Sequence, residues 1–225
     1  MQLDELIRRF RTQANDKIEP YFNEDADVKD WLNDAVNEAC IRGRLVHESQ
    51  NNDVCKITVL IGSSRYQLHD SLYELTRIWF QPSDGAKGQC LSLMSVELLD
   101  HYYQGENWRV MQGKPEHVIQ DDTGVRLVPT PTMDGEIQLE GYRTPLEAMV
   151  DDTDTPIDLH KVHHPYLIEW ALHKAFSVPD TEFFDPNRAQ IAEAKFTEYF
   201  GDRPDSDLRR ITREDVPHTV MPFMP

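Results

Sequence analysis

Apolar residues recur every three to four positions at both ends of this chain and every second position in its middle. Leu3, Leu6, Ile7 and Phe10 fall on one face and predict an amphipathic helix over residues 3–13. Beyond Pro20, the residues Val28, Trp31, Leu32, Ala35, Val36 and Ala39 form the clearest apolar stripe of the chain. Asp25 and Asp27 offer cap oxygens at the start of that helix and suit the positive end of its dipole. Arg42 and Arg44 suit the negative end, and Gly43 reads as the terminator. Helical spacing returns near Pro165 with Leu167, Trp170, Ala171 and Ala175. The last helix takes Asp185 as N-cap, Pro186 at its first position, and Ala189, Ala192, Phe196, Tyr199 and Phe200 as its stripe, before Gly201.

Between these helical ends the period is two. Strands are expected at Val54–Ile61, around Tyr66–Leu68, at Leu72–Phe80, at Gln89–Met94, near Glu116–Gln120, at Val125–Val128 and around Ile137, Leu139 and Gly141. Turn chemistry separates them at Gly62-Ser63-Ser64, Pro82-Ser83-Asp84-Gly85, Asp121-Asp122-Thr123-Gly124 and Met133-Asp134-Gly135. Ser95 is expected to cap a short helix running to Tyr103. The fold class is therefore α+β. Residues 1–50 and 156–201 supply N- and C-terminal helix pairs that pack as a helical bundle, and 51–150 form an inserted β-rich module. Residues 202–225 form an extended C-terminal arm. In that arrangement Trp31 and Trp170 share one helical core.

Composition narrows the function classes. The 225 residues carry 23 basic and 40 acidic side chains, a formal charge of −17. Such a balance opposes a non-specific nucleic-acid binder, which gains affinity by neutralising phosphates. No apolar run approaches the ~20 residues of a membrane-spanning helix, and Met1-Gln2-Leu3-Asp4-Glu5 lacks the basic and apolar regions of a secretion signal. Cys40, Cys55 and Cys90 are odd in number and lack metal-type spacing, which suits free thiols in a reducing compartment. Eight carboxylates and a single base, Arg143, lie between Asp134 and His160, and Asp151-Asp152-Thr153-Asp154 reads as solvated linker.

Chemical motifs are sparse. His160 and His164 have the four-residue spacing of some zinc hydrolases, which keeps an acidic metal-dependent hydrolase as the alternative function. Against it, Pro165 disfavours helical geometry at His164, and Lys161 stands where such motifs place an acid. Gly62-Ser63-Ser64 lacks the second glycine of a nucleophile elbow. Gly85-Ala86-Lys87-Gly88 is too short to cradle phosphate. Cys40 lies beside an apolar stripe, where thiols are inert. No catalytic, cofactor-binding or metal-ligating residue is assigned, no cofactor is expected, and the protein reads as a non-enzyme.

The tail differs from the rest. Residues 202–225 hold five acids and four arginines, Arg203, Arg209, Arg210 and Arg213, and end Val216-Pro217-His218-Thr219-Val220-Met221-Pro222-Phe223-Met224-Pro225. This reads either as a frayed terminus or as an arm that orders on a partner. In the second reading the four arginines with Met221, Phe223 and Met224 are the partner-binding residues.

Several ordered segments resemble the head-to-tail adaptor, or head-completion, proteins of tailed bacteriophages. They are Trp31-Leu32-Asn33-Asp34-Ala35-x-x-Glu38, Tyr66-x-Leu68, Leu127-Val128-Pro129-Thr130-Pro131 and Gly135-x-Ile137-x-Leu139-x-x-Tyr142-Arg143-x-Pro145-Leu146. Pro156-Ile157, Pro165-Tyr166-Leu167-Ile168-x-Trp170-Ala171 and Asp185…Phe196…Phe200-Gly201 follow, so the likeness spans residues 1–201. Relatives often enter the third helix through a simpler Tyr-His, where this chain has His163-His164-Pro165-Tyr166. The resemblance implies a bundle bearing a β-rich insertion, assembled as a ring, typically a dodecamer, under the portal protein. Such a ring extends the DNA channel and carries tail nozzle or tail fibre proteins, and in several relatives a C-terminal arm reaches the portal. DNA would pass through the lumen without specific binding, since carboxylates repel phosphates. The implied place is the virion, at the head–tail junction, after assembly in the host cytoplasm, with no membrane partner.

Overall fold

The computed structural model describes residues 1–179 and 181–205. These form a mixed α+β structure in two compact units, one built from Met1–Val46 with Arg143–Pro204 and the other on His47–Tyr142.

In the first unit, α1 (Leu3–Ala14), α2 (Asp25–Gly43), α5 (His164–Phe176) and α6 (Pro186–Phe200) bury one apolar core. Their stripes meet there: Phe10 from α1, Leu32 from α2, Leu167 and Ala171 from α5, and Phe196 from α6 are all but inaccessible. Asp185 caps α6 by accepting from the N–H groups of Asn187 and Arg188, and Gly201 follows at φ 91°. The ends of α2 depart from expectation. Its N-cap is Glu24, without a side-chain cap bond, because the Asp25 carboxylate is engaged by Arg11. Gly43 is still helical, and the left-handed residue is Arg44 at φ 47°. A Cβ at Gly43 would lie 2.7 Å from Leu45 Cδ2, so glycine here admits the side chain of Leu45 just beyond the helix. His164 opens α5 although proline follows it, since the missing N–H of Pro165 falls in the first turn, where it has no helical partner to lose.

The acidic stretch read as solvated linker is exposed over residues 151–153, and hydrogen bonds and an ion pair also tie it down as a strap in this unit. Asp154 Oδ2 accepts from the N–H groups of Val150 and Asp151, each at 2.8 Å, and these bonds hold its carboxyl below its ordinary range. Lys29 pairs with Asp152 at 2.8 Å. The orphan N–H groups at the start of α1 donate into the strap, Leu3 to Asp154 O and Asp4 to Asp152 O.

The second unit is a curled sheet. Its strands are β1 (His47–Glu48), β2 (Lys56–Val59), β3 (Arg65–Gln67), β4 (Leu72–Pro82), β5 (Gln89–Leu93), β7 (His117–Gln120), β8 (Gly124–Val128) and β10 (Gly135–Arg143). They run in the order β1-β10-β4-β5-β7-β8-β3, with β2 also on β10. A separate pair joins β6 (Gln112–Gly113) to β9 (Thr130–Pro131). The β5–β7 pairing is parallel; β7–β8 and β8–β3 are antiparallel. Alternation along β10 places Ile137 and Leu139 in the core, and glycine at 135 allows close approach to β4, since a Cβ there would meet Gln81 O at 2.6 Å. Val54 and Cys55, expected to open a strand, instead belong to the helical turn α3 (Asn52–Cys55), because the Asn51 side chain accepts from Asp53 N–H and draws the chain into a cap. Ser95 caps α4 (Val96–Tyr102) through Leu98 N–H. Leu99 of α4 joins Trp108, Ile119 and Val128 in a small apolar cluster of its own.

Trp31 and Trp170 both pack against the helical core, but only in part buried. The buried indole nitrogen of Trp170 has no hydrogen-bond partner among the described residues. Trp170→Phe keeps the ring contact with Phe196 (centroids 5.1 Å apart) and removes that orphaned donor. It is therefore expected to shift stability by less than about 1 kcal/mol, because the lost packing and the relieved N–H oppose each other. Phe196→Ala, at a wholly buried site, is expected to cost about 3–5 kcal/mol. Urea unfolding of the two variants tests the contrast.

Candidate partner-binding surface

The histidine cluster is structural. His164 is buried, with Nδ1 2.7 Å from the Met1 amine nitrogen and Nε2 3.2 Å from Leu159 O. A carbonyl only accepts, so Nε2 carries the proton and Nδ1 accepts. His163 Nδ1 lies 3.2 Å from the Tyr199 hydroxyl, and exposed His160 accepts from Val162 N–H. With both nitrogens of His164 engaged, His160 and His164 do not make a ligand pair. Among the described residues no group of three or more His, Cys, Asp or Glu side chains is placed to hold a metal. Burial pushes the Cys40 thiol up to about 12, which keeps it protonated and unreactive.

Burial also pushes His117, His163 and His164 below the ordinary imidazole range, aided at His163 by the nearby His160. The unfolded chain then binds more protons than the fold as pH falls below about 6.5, so stability held above that value is lost on acidification. The melting temperature is expected to fall between about pH 7 and pH 5. His117→Phe, which removes a ring whose two buried nitrogens have no hydrogen-bond partner among the described residues, should flatten that slope. Calorimetry across the pH series is the check.

Of the arginines read as partner-binding, Arg203 is described. It is exposed just beyond Gly201, with Nε 3.6 Å from Glu38 Oε1, and Glu38 also receives Arg42 Nε at 2.8 Å. Arg42 Nη1 in turn donates to Thr197 Oγ1 at 2.8 Å. The chain thus leaves α6 tethered to the C-terminal half of α2. Arg209, Arg210, Arg213, Met221, Phe223 and Met224 lie outside the described residues.

Two surface features were not singled out by sequence reasoning. In the first unit Ile157 is 85% exposed, beside a cavity of about 130 Å³ lined by Val36, Pro145, Met149 and Pro156. Asn33 fixes that wall, donating from Nδ2 to Met149 O (3.0 Å) and accepting from Met149 N–H (2.9 Å). In the second unit, Leu60 and Ile61 stand exposed at the turn after β2. Two large apolar residues in a turn are the signal that marks them, since a loop gains nothing from them in isolation. Such surfaces suit protein contacts. No helix among the described residues is long and apolar enough to cross a membrane.

No curated protein matches the chain. The family model described as SU10 adaptor protein matches residues 1–220, which takes in both units and most of the tail. A match over nearly the whole length settles what the short motifs outlined: the chain belongs to the SU10 adaptor protein family, a family of bacteriophage head-to-tail adaptors.

Proposed function

We propose that this protein is a non-enzymatic structural subunit of an adaptor ring that docks under the portal, extends the DNA channel and gives tail components their attachment platform. In this reading the N- and C-terminal helix pairs form one bundle, the β-rich module is its insertion, and a dozen copies close the ring through heterologous contacts. The observation that carries it is the family match over residues 1–220. The net charge of −17 supports it. Carboxylates along a lumen repel phosphates and give passing DNA no place to stop. Portal, nozzle or fibre proteins would meet the exposed apolar residues of the two units, and the C-terminal arm would reach the portal or a neighbouring subunit through Arg203, Arg209, Arg210, Arg213, Met221, Phe223 and Met224.

The test is co-assembly. Purified portal rings mixed with the full chain should gain a complete ring of added subunits, read by native mass spectrometry and by electron microscopy of the stalk. Portal rings that gain no mass while the protein is folded and in excess would sink the portal-docking reading.

A further inference from the structure

The second unit carries a cationic notch in an otherwise acidic chain. Arg65 on β3 and Arg126 on β8 are direct cross-strand partners, so two like charges face each other on one surface of the sheet. Such a pair weakens a sheet unless something anionic lies between the two. Arg126 also sits 4.9 Å from the centre of the Trp108 ring, and Arg109 lies over the same ring at 4.3 Å. The acid beside them is already engaged. Asp100 takes the Arg109 fork at 2.8 and 3.2 Å and the Trp108 indole N–H at 2.7 Å. Arg126 donates from Nη2 to Arg109 O at 3.1 Å, while its buried Nε has no hydrogen-bond partner among the described residues. Burial, then Arg65 and Arg109, disfavour its charge, and Asp121 offsets only part of this. Val110, adjoining Arg109, is 70% exposed.

We propose that this notch is a docking site for an acidic segment of a partner protein, a carboxylate bridging Arg65 and Arg126 while an apolar neighbour covers Val110. A planar two-oxygen anion set between the two guanidiniums pairs with both and removes the repulsion between them in one step. A polypeptide fits better than nucleic acid. The notch offers a short patch rather than a track of phosphate contacts, and an apolar residue, Val110, flanks it. The inference rests on the adaptor reading in taking the partner to be another head or tail protein.

The probe is a fluorescein-labelled Glu–Gly repeat peptide, titrated with the full chain at low salt and followed by anisotropy. The wild-type chain should bind it, and added NaCl should weaken the binding. Arg65→Gln should weaken it by about tenfold and the Arg65→Gln/Arg126→Gln double variant by more. The exposed Arg65→Gln substitution should leave the melting temperature unchanged or raised, because a like-charge pair is gone. Equal affinity for wild type and Arg65→Gln would overturn the proposal. So would tighter binding of an oligo-dT strand that the same variants abolish, which would make the notch a phosphate contact. Portal co-assembly of the wild-type chain reads the adaptor function separately, so failure of one is not failure of the other.

Discussion

A chain truncated after Asp205 is expected to unfold at nearly the same temperature as the full chain and to lose its attachment to portal rings. The first half follows from where the cores are. Among the described residues, the apolar clusters of both units are filled by side chains between Leu3 and Phe200, and truncation at this point keeps the Arg203–Glu38 contact. The second half follows from what residues 206–225 contain. Arg209, Arg210 and Arg213 concentrate positive charge in a chain of net −17, and Met221, Phe223 and Met224 alternate with prolines. Arginines pair with carboxylates through a fork that fixes direction as well as attraction. Buried aromatic and methionine anchors then supply most of the affinity of an interface. Ordering such a segment costs roughly 1–2 kcal/mol per residue for the backbone, so the anchors have to exceed that cost only once a partner is present. Cosedimentation with portal rings and differential scanning calorimetry test the two halves together. A truncated chain that binds portals with full affinity would make the segment a passive tail.

How much of this was legible in the sequence depended on whether the cause was local. The stripes of α1, α2, α5 and α6 were readable because each buries one face, and the Asp185 and Ser95 caps because their oxygens bond within three residues. The order of the sheet was not. Neither the parallel β5–β7 pairing nor the β3–β8 register is written in any local pattern, and the Arg65–Arg126 notch exists only through that register. The tethering of the exposed acidic strap was illegible for the same reason. Composition reports the charges of Asp151–Asp154, but not that Lys29, distant in sequence, pairs with one of them or that backbone N–H groups fill another. Val54 and Cys55 show the reverse error, where a local Asn51 cap outweighed β-branched neighbours. Of the candidate site, Arg203 has a place and a partner, and the remaining arm residues were read from composition alone.

A loss of stability as large as that of a core truncation is expected at Asp16, which none of the periodic patterns marks. Its carboxylate is 2% exposed and gathers the loop between α1 and α2 around itself. Oδ2 receives Arg11 Nη1 at 3.0 Å, Asn23 N–H at 3.2 Å and Asn23 Nδ2 at 3.3 Å, and Oδ1 receives Phe22 N–H at 3.0 Å. Arg11 is itself 7% exposed, donates to Asn23 O, pairs with Asp25, and lies 3.6 Å from the centre of the Tyr21 ring. Asp16→Ala thus removes a buried charge from its partner and strands two backbone donors and an amide at once. Removing one member of a buried pair costs about 3–5 kcal/mol, because the other charge stays behind without full compensation. Replacing both charges does not rescue the loop, since the N–H groups of Phe22 and Asn23 still lack an acceptor. Glu5→Ala is the control. It breaks the Arg9–Glu5 pair, whose side chains are 43% and 36% exposed, and should cost less than about 0.5 kcal/mol. Urea titrations of Asp16→Ala, Glu5→Ala and the Arg11→Met/Asp16→Ala double variant compare the three directly. If Asp16→Ala proved no more costly than Glu5→Ala, the loop would be held by its apolar contacts and not by the buried carboxylate.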